Sequence, residues 1–432
     1  MEPRKEVYMD EYKGIGYLRN KLDLKKVRVK TRYRFYEMHE SGDRKALLIP
    51  AWLSGVFGSK LGWCEKAVDS MSDRLVFKGF DPDPYGSQGI FDLNNPDIFF
   101  TAAIREALIA SCSFVQIAHD GRSKIPKLSV LTADNATGII DEFSGLLKEG
   151  YAVLDRNKSG EPTLEAWFTP EFTEYYQRGS DPIRENNPAL YPLLVPVVYR
   201  PDAKRPFGHS RITRTCMDLQ EAAKRTLERA EVSAEFYSFP QKYVTGLSPD
   251  ADPMDTWRAT MSSMLAFDKD RDGDKPTLGQ FQQQSMIPFI DQLKMYAALF
   301  AGETGLTLAD IGFESSYPTN TESIKSAHES LRLACRQAQR TFESAFANVG
   351  FVAASVRDDY GYSRDLVTEM RGNWAPLFEP DASALATIGD SANKTNQVVP
   401  GFFNRDNLSE LTGIEVAEPE TAVDVELGLA EE

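Results

Sequence analysis

Between Gly208 and Pro240 runs an uninterrupted helical pattern that carries too many charges to be the centre of a core. Gly208 permits a tight turn, and the spacing predicts a helix of about 26 residues from Ser210 to Phe236. Its apolar side holds Ile212, Met217, Leu219, Ala223, Leu227, Ala230 and Ala234, and Pro240 ends it. Pairs at i,i+4, Glu221 with Arg225 and Lys224 with Glu228, lace the other faces. At 1.5 Å per residue this is a rod of about 39 Å. A polar, loop-rich insert follows (240–287), then a second, shorter helix over Pro288–Ala301 bearing Phe289, Ile290, Leu293, Tyr296 and Phe300, which Gly302 and Gly305 break. Two such helices around a polar insert bury too little to close a core alone. Side-by-side copies of the chain would supply the missing surface.

The rest of the chain reads as mixed helix and sheet. The first 30 residues look like a short helix or arm. Residues 31–80 carry helical periodicity through Trp52, Leu53, Val56, Leu61, Trp63, Ala67 and Met71. Asn95-Pro96 opens a helix to about residue 112 with Ile98, Ala102, Ile104 and Leu108 on its stripe. From about 113 to 200 the pattern turns to short β-prone runs (SFVQIAH, KLSVLTA, YAVLDRN, TLEAWFTP, TEYYQRG, LYPLLVPVVY). Pro192, Pro196 and Pro201 restrict the last run to an edge or an extended connector. Thr319 and Glu322 form a capping box for a third helix to about Val349, with Ile324, Ala327, Leu331, Ala334, Ala338, Phe342, Ala345 and Phe346 on one stripe. Two helical turns are expected at Met254–Leu265 and one more helix in ALATIGDSANKTN, while the last 20 residues are expected to stay flexible.

A net charge of −15 argues against a surface that clamps DNA, because neutralising phosphates requires a basic face. It is compatible with a conduit, where tight binding would act as a brake. No apolar run is long enough to span a membrane, and MEPRKEVYMDEYKG has no apolar stretch behind its charges to serve as a secretion signal. Cys64, Cys112, Cys216 and Cys335 lie far apart and are expected to be reduced and buried, which fits a reducing cytoplasm.

Reaction chemistry finds little support. Asp268, Asp270, Asp272 and Gly273 match the first half of a calcium loop, but the glutamate required at its twelfth position is Gly279, so the run reads as a solvated acidic turn. Gly55–Lys60 and Gly14-Ile-Gly16 lack the remaining residues of a phosphate-binding loop. No Ser or Cys has a base placed beside it by any known spacing, and His39, His119, His209 and His328 sit in unrelated settings, His209 as a helix-entry residue. No catalytic residue, metal site or cofactor is expected.

Three segments in order, PFGHSRITRTCMDLQEAAKRTLERAEVSAEFYSFPQKYVTGL (206–247), GQFQQQSMIPFIDQLKMYAALFAGETGLTLADIGF (279–313) and NTESIKSAHESLRLACRQAQRTFESAF (320–346), resemble the portal proteins of siphoviruses that infect Gram-positive hosts. The likeness extends more weakly over 40–412, and NWAPLFEPDASALATIGDSANKTNQ resembles the family's C-terminal helical region. The resemblance implies an α+β portal fold. Its parts on this chain are a mixed α/β wing (1–205), stem helices (206–239 and 288–305), a loop-rich clip (240–287), a tunnel loop (306–319), a long wing/crown helix (320–349) and a helical, shortened crown (350–432). It further implies a non-enzymatic dodecameric ring at one capsid vertex of the virion, assembled in the host cytoplasm. Double-stranded DNA would pass through it transiently. The partners implied are the terminase large subunit, a head–tail adaptor, and the major capsid and scaffolding proteins, with no membrane. In that frame Phe313, Glu314, Ser315 and Ser316 approach the duplex. Asp268, Asp270, Arg271, Asp272 and Asp274 face partners from the clip, and Arg211, Arg214, Glu221, Arg225, Glu228 and Arg229 form intersubunit ion pairs in the stem. Two other readings compete: another ring-forming head–tail adaptor, usually a shorter chain, and a metal-dependent nuclease using the acidic run.

Overall fold

The computed structural model describes residues 12–39, 59–119, 123–238, 242–245, 277–280, 285–313, 326–377 and 382–412. The chain divides into two compact units, one of Met1–Val29, Val68–Ser210 and Arg332–Glu432, the other of Lys30–Ala67 and Arg211–Leu331. Helix and sheet are mixed, as the residue patterns imply.

The first unit is built on antiparallel sheets. Five strands, β4 (Ala136–Ile140), β5 (Leu147–Arg156), β6 (Pro162–Phe168), β7 (Phe172–Gln177) and β8 (Ile183–Asn186), run in sequence order as a meander. A second sheet has the order β3-β2-β9, from Lys127–Thr132, Cys112–Ala118 and Leu194–Val198. β9 is at its edge, with Pro196 opposite Phe114, so the missing proline N–H is tolerated. A third pairing joins β1 (Phe77–Phe80) to β12 (Gly372–Trp374).

Helix α1 (Gly14–Tyr36) is much longer than the expected arm. Its first-unit part lays Leu18 and Leu22 on Tyr151 and Val153 of β5. The buried Glu149 carboxylate accepts hydrogen bonds from the backbone N–H groups of Lys13 (2.9 Å) and Gly14 (3.2 Å) and from the Trp167 indole (3.3 Å). A carboxylate at that end meets both the orphan N–H groups and the positive end of the helix dipole.

Helices α2 (Trp63–Ser72), α3 (Gln88–Leu93) and α4 (Pro96–Ala110) precede the sheets, and Pro96 sits at the first helical position of α4 as its sequence signal predicts. The core beside them is aromatic: Phe77 packs against Phe100 at 4.7 Å and Phe346 at 5.2 Å, and Phe100 meets Phe346 at 4.8 Å.

Phe346 lies on α7 (Glu329–Asp358), which runs nine residues beyond the expected end at Val349. Phe351, Val352, Ala353, Ala354 and Val356 are all buried, so the apolar stripe continues. Gly350, which reads as a stop, is instead a close-approach position: a Cβ there would meet the Ser87 side chain at 2.8 Å. The capping-box residues Thr319 and Glu322 lie outside the described residues, as do Trp52, Leu53, Val56, Met254–Leu265 and the last 20 residues. Helices α8 (Ala382–Val398) and α9 (Arg405–Thr412) follow, the former where the C-terminal pattern places a helix.

The second unit holds two long helices. α5 (Arg214–Ser238) starts four residues later than expected. Thr213 is its true cap, its hydroxyl accepting from the Cys216 N–H at 3.2 Å, while the Ser210 hydroxyl donates to the Ile109 carbonyl at 2.6 Å in the first unit. α6 (Ile287–Thr304) packs along α5 through Ala297, Phe300, Ala301 and Thr304, and Gly305 caps it in the left-handed region (φ 71°). Between the two helices, β10 (Lys242–Thr245) pairs with β11 (Thr277–Gln280), a short ribbon that returns the chain to α6.

Candidate channel and assembly surfaces

The six charged residues assigned to the stem from sequence separate into three groups. Arg211 does not lie on α5. It is 8% exposed, and its guanidinium donates to the Ala67 carbonyl at 3.3 Å and to the carbonyl of Thr304, the last residue of α6. Those bonds place a cation on the orphan carbonyl end of α6. Arg211 is therefore a joint within its own subunit, which corrects its assignment to an intersubunit pair.

Glu221, Arg225 and Glu228 are half-buried and line a cavity shared with Arg34, His39 and Lys60 of the same unit. Lys224 approaches Glu228 at 4.0 Å, the i,i+4 contact expected from the sequence. Only Arg214 and Arg229 of the six project into solvent from α5.

The surface that charge counting missed is on α6. Ile287, Ile290, Met295 and Leu299 are 63%, 48%, 51% and 55% exposed. Ala298 and Gly302 are exposed among them, as are the charged Asp291 and Lys294, while Ala297, Phe300, Ala301 and Thr304 are buried. The four large apolar side chains spread over about half the circumference of the helix, with the exposed Asp291 and Lys294 between them. The signal was legible in the sequence: the apolar residues of α6 surround the helix instead of forming one stripe.

Of the predicted tunnel loop, Phe313 is half-buried, with its ring 6.5 Å from that of Trp63 and its N–H donating to the Leu308 carbonyl at 3.0 Å. It anchors the start of the loop. Glu314, Ser315 and Ser316 lie outside the described residues, as do Asp268, Asp270, Arg271, Asp272 and Asp274 of the clip. Gly279, at the twelfth position of the calcium-like run, is a ladder residue of β11 opposite Tyr243.

Among the described residues no group of three or more His, Cys, Asp and Glu side chains is placed to hold a metal ion, and no helix is long and apolar enough to cross a membrane. His209 is not at a helix entry. It lies in the loop before α5, 2.6 Å from the Asp202 carboxylate and 3.3 Å from Arg205. All four cysteines are buried and none forms a disulfide, and burial pushes the Cys64 and Cys216 thiols up.

No family model matches the chain. It is 22% identical over 415 residues to the portal protein of Mycobacterium phage D29, an alignment covering 89% of this chain and 82% of that protein. It is also 22% identical over 408 residues to the portal protein of Mycobacterium phage L5, with the same coverage of 89% and 82%. Among solved structures, a chain from the virion of a native gene transfer agent particle superposes with a TM-score of 0.44 at 13% identity, covering 90% of this chain and 99% of that one. A chain from the neck of the same kind of particle, computed with C12 symmetry, gives a TM-score of 0.44 at 13% identity over 82% and 90%. By sequence, over 89% of its length, the chain is similar to these two bacteriophage portal proteins.

Proposed function

We propose that this protein is a portal subunit, assembling into a dodecameric ring at one vertex of a capsid and serving as the channel for double-stranded DNA during packaging and ejection. The observation that carries the reading is the sequence relationship to two phage portal proteins over 89% of the chain. The exposed apolar side chains of α6 support assembly, because they are stabilised when a neighbouring copy covers them. In this reading α5 and α6 are the stem, the insert 240–287 is the clip, residues 306–319 are the tunnel loop and the sheet-bearing unit belongs to the wing and crown.

The work done is physical. A net charge of −15 disfavours lasting contacts with phosphates, so DNA slides instead of sticking. In the tunnel loop Glu314 adds weak repulsion. The acidic turn Asp268–Asp274 meets the terminase large subunit first and the head–tail adaptor later, while the wing contacts scaffolding and major capsid proteins. The ring assembles in the host cytoplasm and ends in the virion.

Negative-stain imaging and mass photometry of the purified chain test the reading. Annular assemblies with a central hole wide enough for a duplex are expected, and a monomer at every concentration overturns it. Deleting residues 268–274 is expected to abolish pull-down of the terminase large subunit by the ring while annuli form at wild-type yield. Loss of the annuli in that variant would refute the clip assignment.

A further inference from the structure

Helix α1 carries eight lysines and arginines against one aspartate, a net of +7 in a chain of −15. Lys21, Lys25 and Arg28 follow one another at i, i+4 and i+7, and Tyr17 and, just before the helix, Lys13 continue the same side backwards, so a stripe about 22 Å long carries four cations and no carboxylate. Asp23 falls on the opposite face.

The lysines are held in place. Lys13 Nζ lies 4.9 Å above the Tyr17 ring, and Lys21 and Lys25 Nζ lie 5.0 and 5.1 Å from the ring of Phe207. Phe207 ends an exposed loop that brings Lys204 and Arg205. The nearby carboxylates are engaged elsewhere: Glu149 with the start of α1, and Asp202 with His209 at 2.6 Å and the Arg205 N–H at 2.6 Å. Burial, with Lys25 and Lys13 alongside and Glu149 opposing them, lowers Lys21 to about 8. Gathering like charges costs folding stability, and a polyanion laid along the stripe reverses that cost.

We propose that the α1 stripe of Lys13, Lys21, Lys25 and Arg28, flanked by Lys204 and Arg205, binds the phosphate backbone of duplex DNA laid against it, without the duplex being threaded through a ring. Charge complementarity fits a phosphate backbone: Lys21, Lys25 and Arg28 set cations about 5–6 Å apart along a straight rod, with Lys13 about 12 Å before them, and aromatic rings lie beside three of the ammonium groups. This goes beyond the channel reading, which requires DNA not to be gripped, and it lies on a different unit from the α5–α6 hairpin.

A covalently closed DNA minicircle separates the two, because a closed circle cannot enter a channel. Binding of a fluorescent minicircle to the full-length protein is measured between 50 and 200 mM KCl, chosen as roughly the range over which counterion release is read. The K13Q/K25Q/R28Q variant leaves Lys21 untouched because its ammonium donates to the Gly138 carbonyl at 2.6 Å. The wild type is expected to bind, and the variant to weaken by tenfold or more with its log–log salt slope reduced by about 2.7, or 0.9 per lost contact. An unbound circle, or a variant indistinguishable from wild type, overturns the proposal. Tighter binding of poly-glutamate than of the circle, lost in the same variant, also overturns it and points to an acidic protein segment. Mass photometry of the same samples reports ring formation separately, so absence of rings alongside circle binding removes the channel reading and leaves this one standing.

Discussion

Arg211 shows how a charge can be read correctly as important and wrongly as to its partner. In sequence it belongs to a row of arginines and glutamates, and nothing in the row marks it as different. Burial, which linear order does not encode, makes it a clasp between the Ala67 and Thr304 carbonyls. Arg211→Ala leaves both carbonyls without that donor, and a loss of roughly 2–3 kcal/mol in urea denaturation is expected. The alternative, loss of assembly at unchanged stability, would restore Arg211 to the intersubunit set. Glu106, on α4, is a second residue that no motif reveals. Burial, with Asp134 beside it, raises its carboxyl from 4.5 to about 7. Between those values the folded protein holds a proton that the unfolded chain has released, so stability falls as pH rises through the window. Glu106→Gln is expected to flatten the slope of melting temperature between pH 5 and 8 and to add on the order of 2 kcal/mol at pH 8. An unchanged slope would show that the group titrates normally.

At the level of elements, periodicity recovered most of what packs against a core and little of what does not. α4, α5, α6 and the long strands follow apolar spacing, and the prolines of 192–201 place β9 at an edge. β8 escaped because Ile183–Asn186 is exposed along its whole length and shows no alternation. α1 was underestimated because only Leu18, Leu22 and Val29 are buried among its charges, so its stripe is thin, and the concentration of basic residues on it went unread. The end of α7 was misplaced because glycine serves two purposes, stopping a helix and letting another backbone come close, and Gly350 serves the second. Gly350→Leu is accordingly predicted to drive α7 from Ser87 and cost about 2–4 kcal/mol, read as a lower urea midpoint. A helix-propensity gain with higher stability would mean that the site has room.

For the molecule as a whole, the residue pattern predicts that the paired helices bury too little by themselves, with intersubunit ion pairs among the contacts that would complete them. Among the described residues, exposed apolar side chains of α6 offer a second means. Three of the six stem charges line a cavity of their own unit and a fourth is buried, which leaves Arg214 and Arg229 of the six exposed on α5, and exposed ion pairs contribute about 0–1 kcal/mol each. Ile287, Ile290, Met295 and Leu299 offer far more, since each large apolar side chain taken from water stabilises by about 1.5–3 kcal/mol when fully covered. Association through these side chains is head to tail if the covering surface is a different one on the next copy, and it closes into a ring when the rotation between copies divides a full turn. The double variant Ile290→Glu/Leu299→Glu isolates this term. Both side chains are about half exposed in one copy, so each subunit should unfold within about 0.5 kcal/mol of wild type per substitution. In an assembly, each copy would bury two new carboxylates without partners, and annuli should give way to monomers in mass photometry. Restoring high salt should not rescue them, because the penalty is desolvation and not long-range repulsion. Rings at wild-type yield from the double variant would show that α6 faces solvent in the assembly, and that the contacts holding neighbours together lie on another surface.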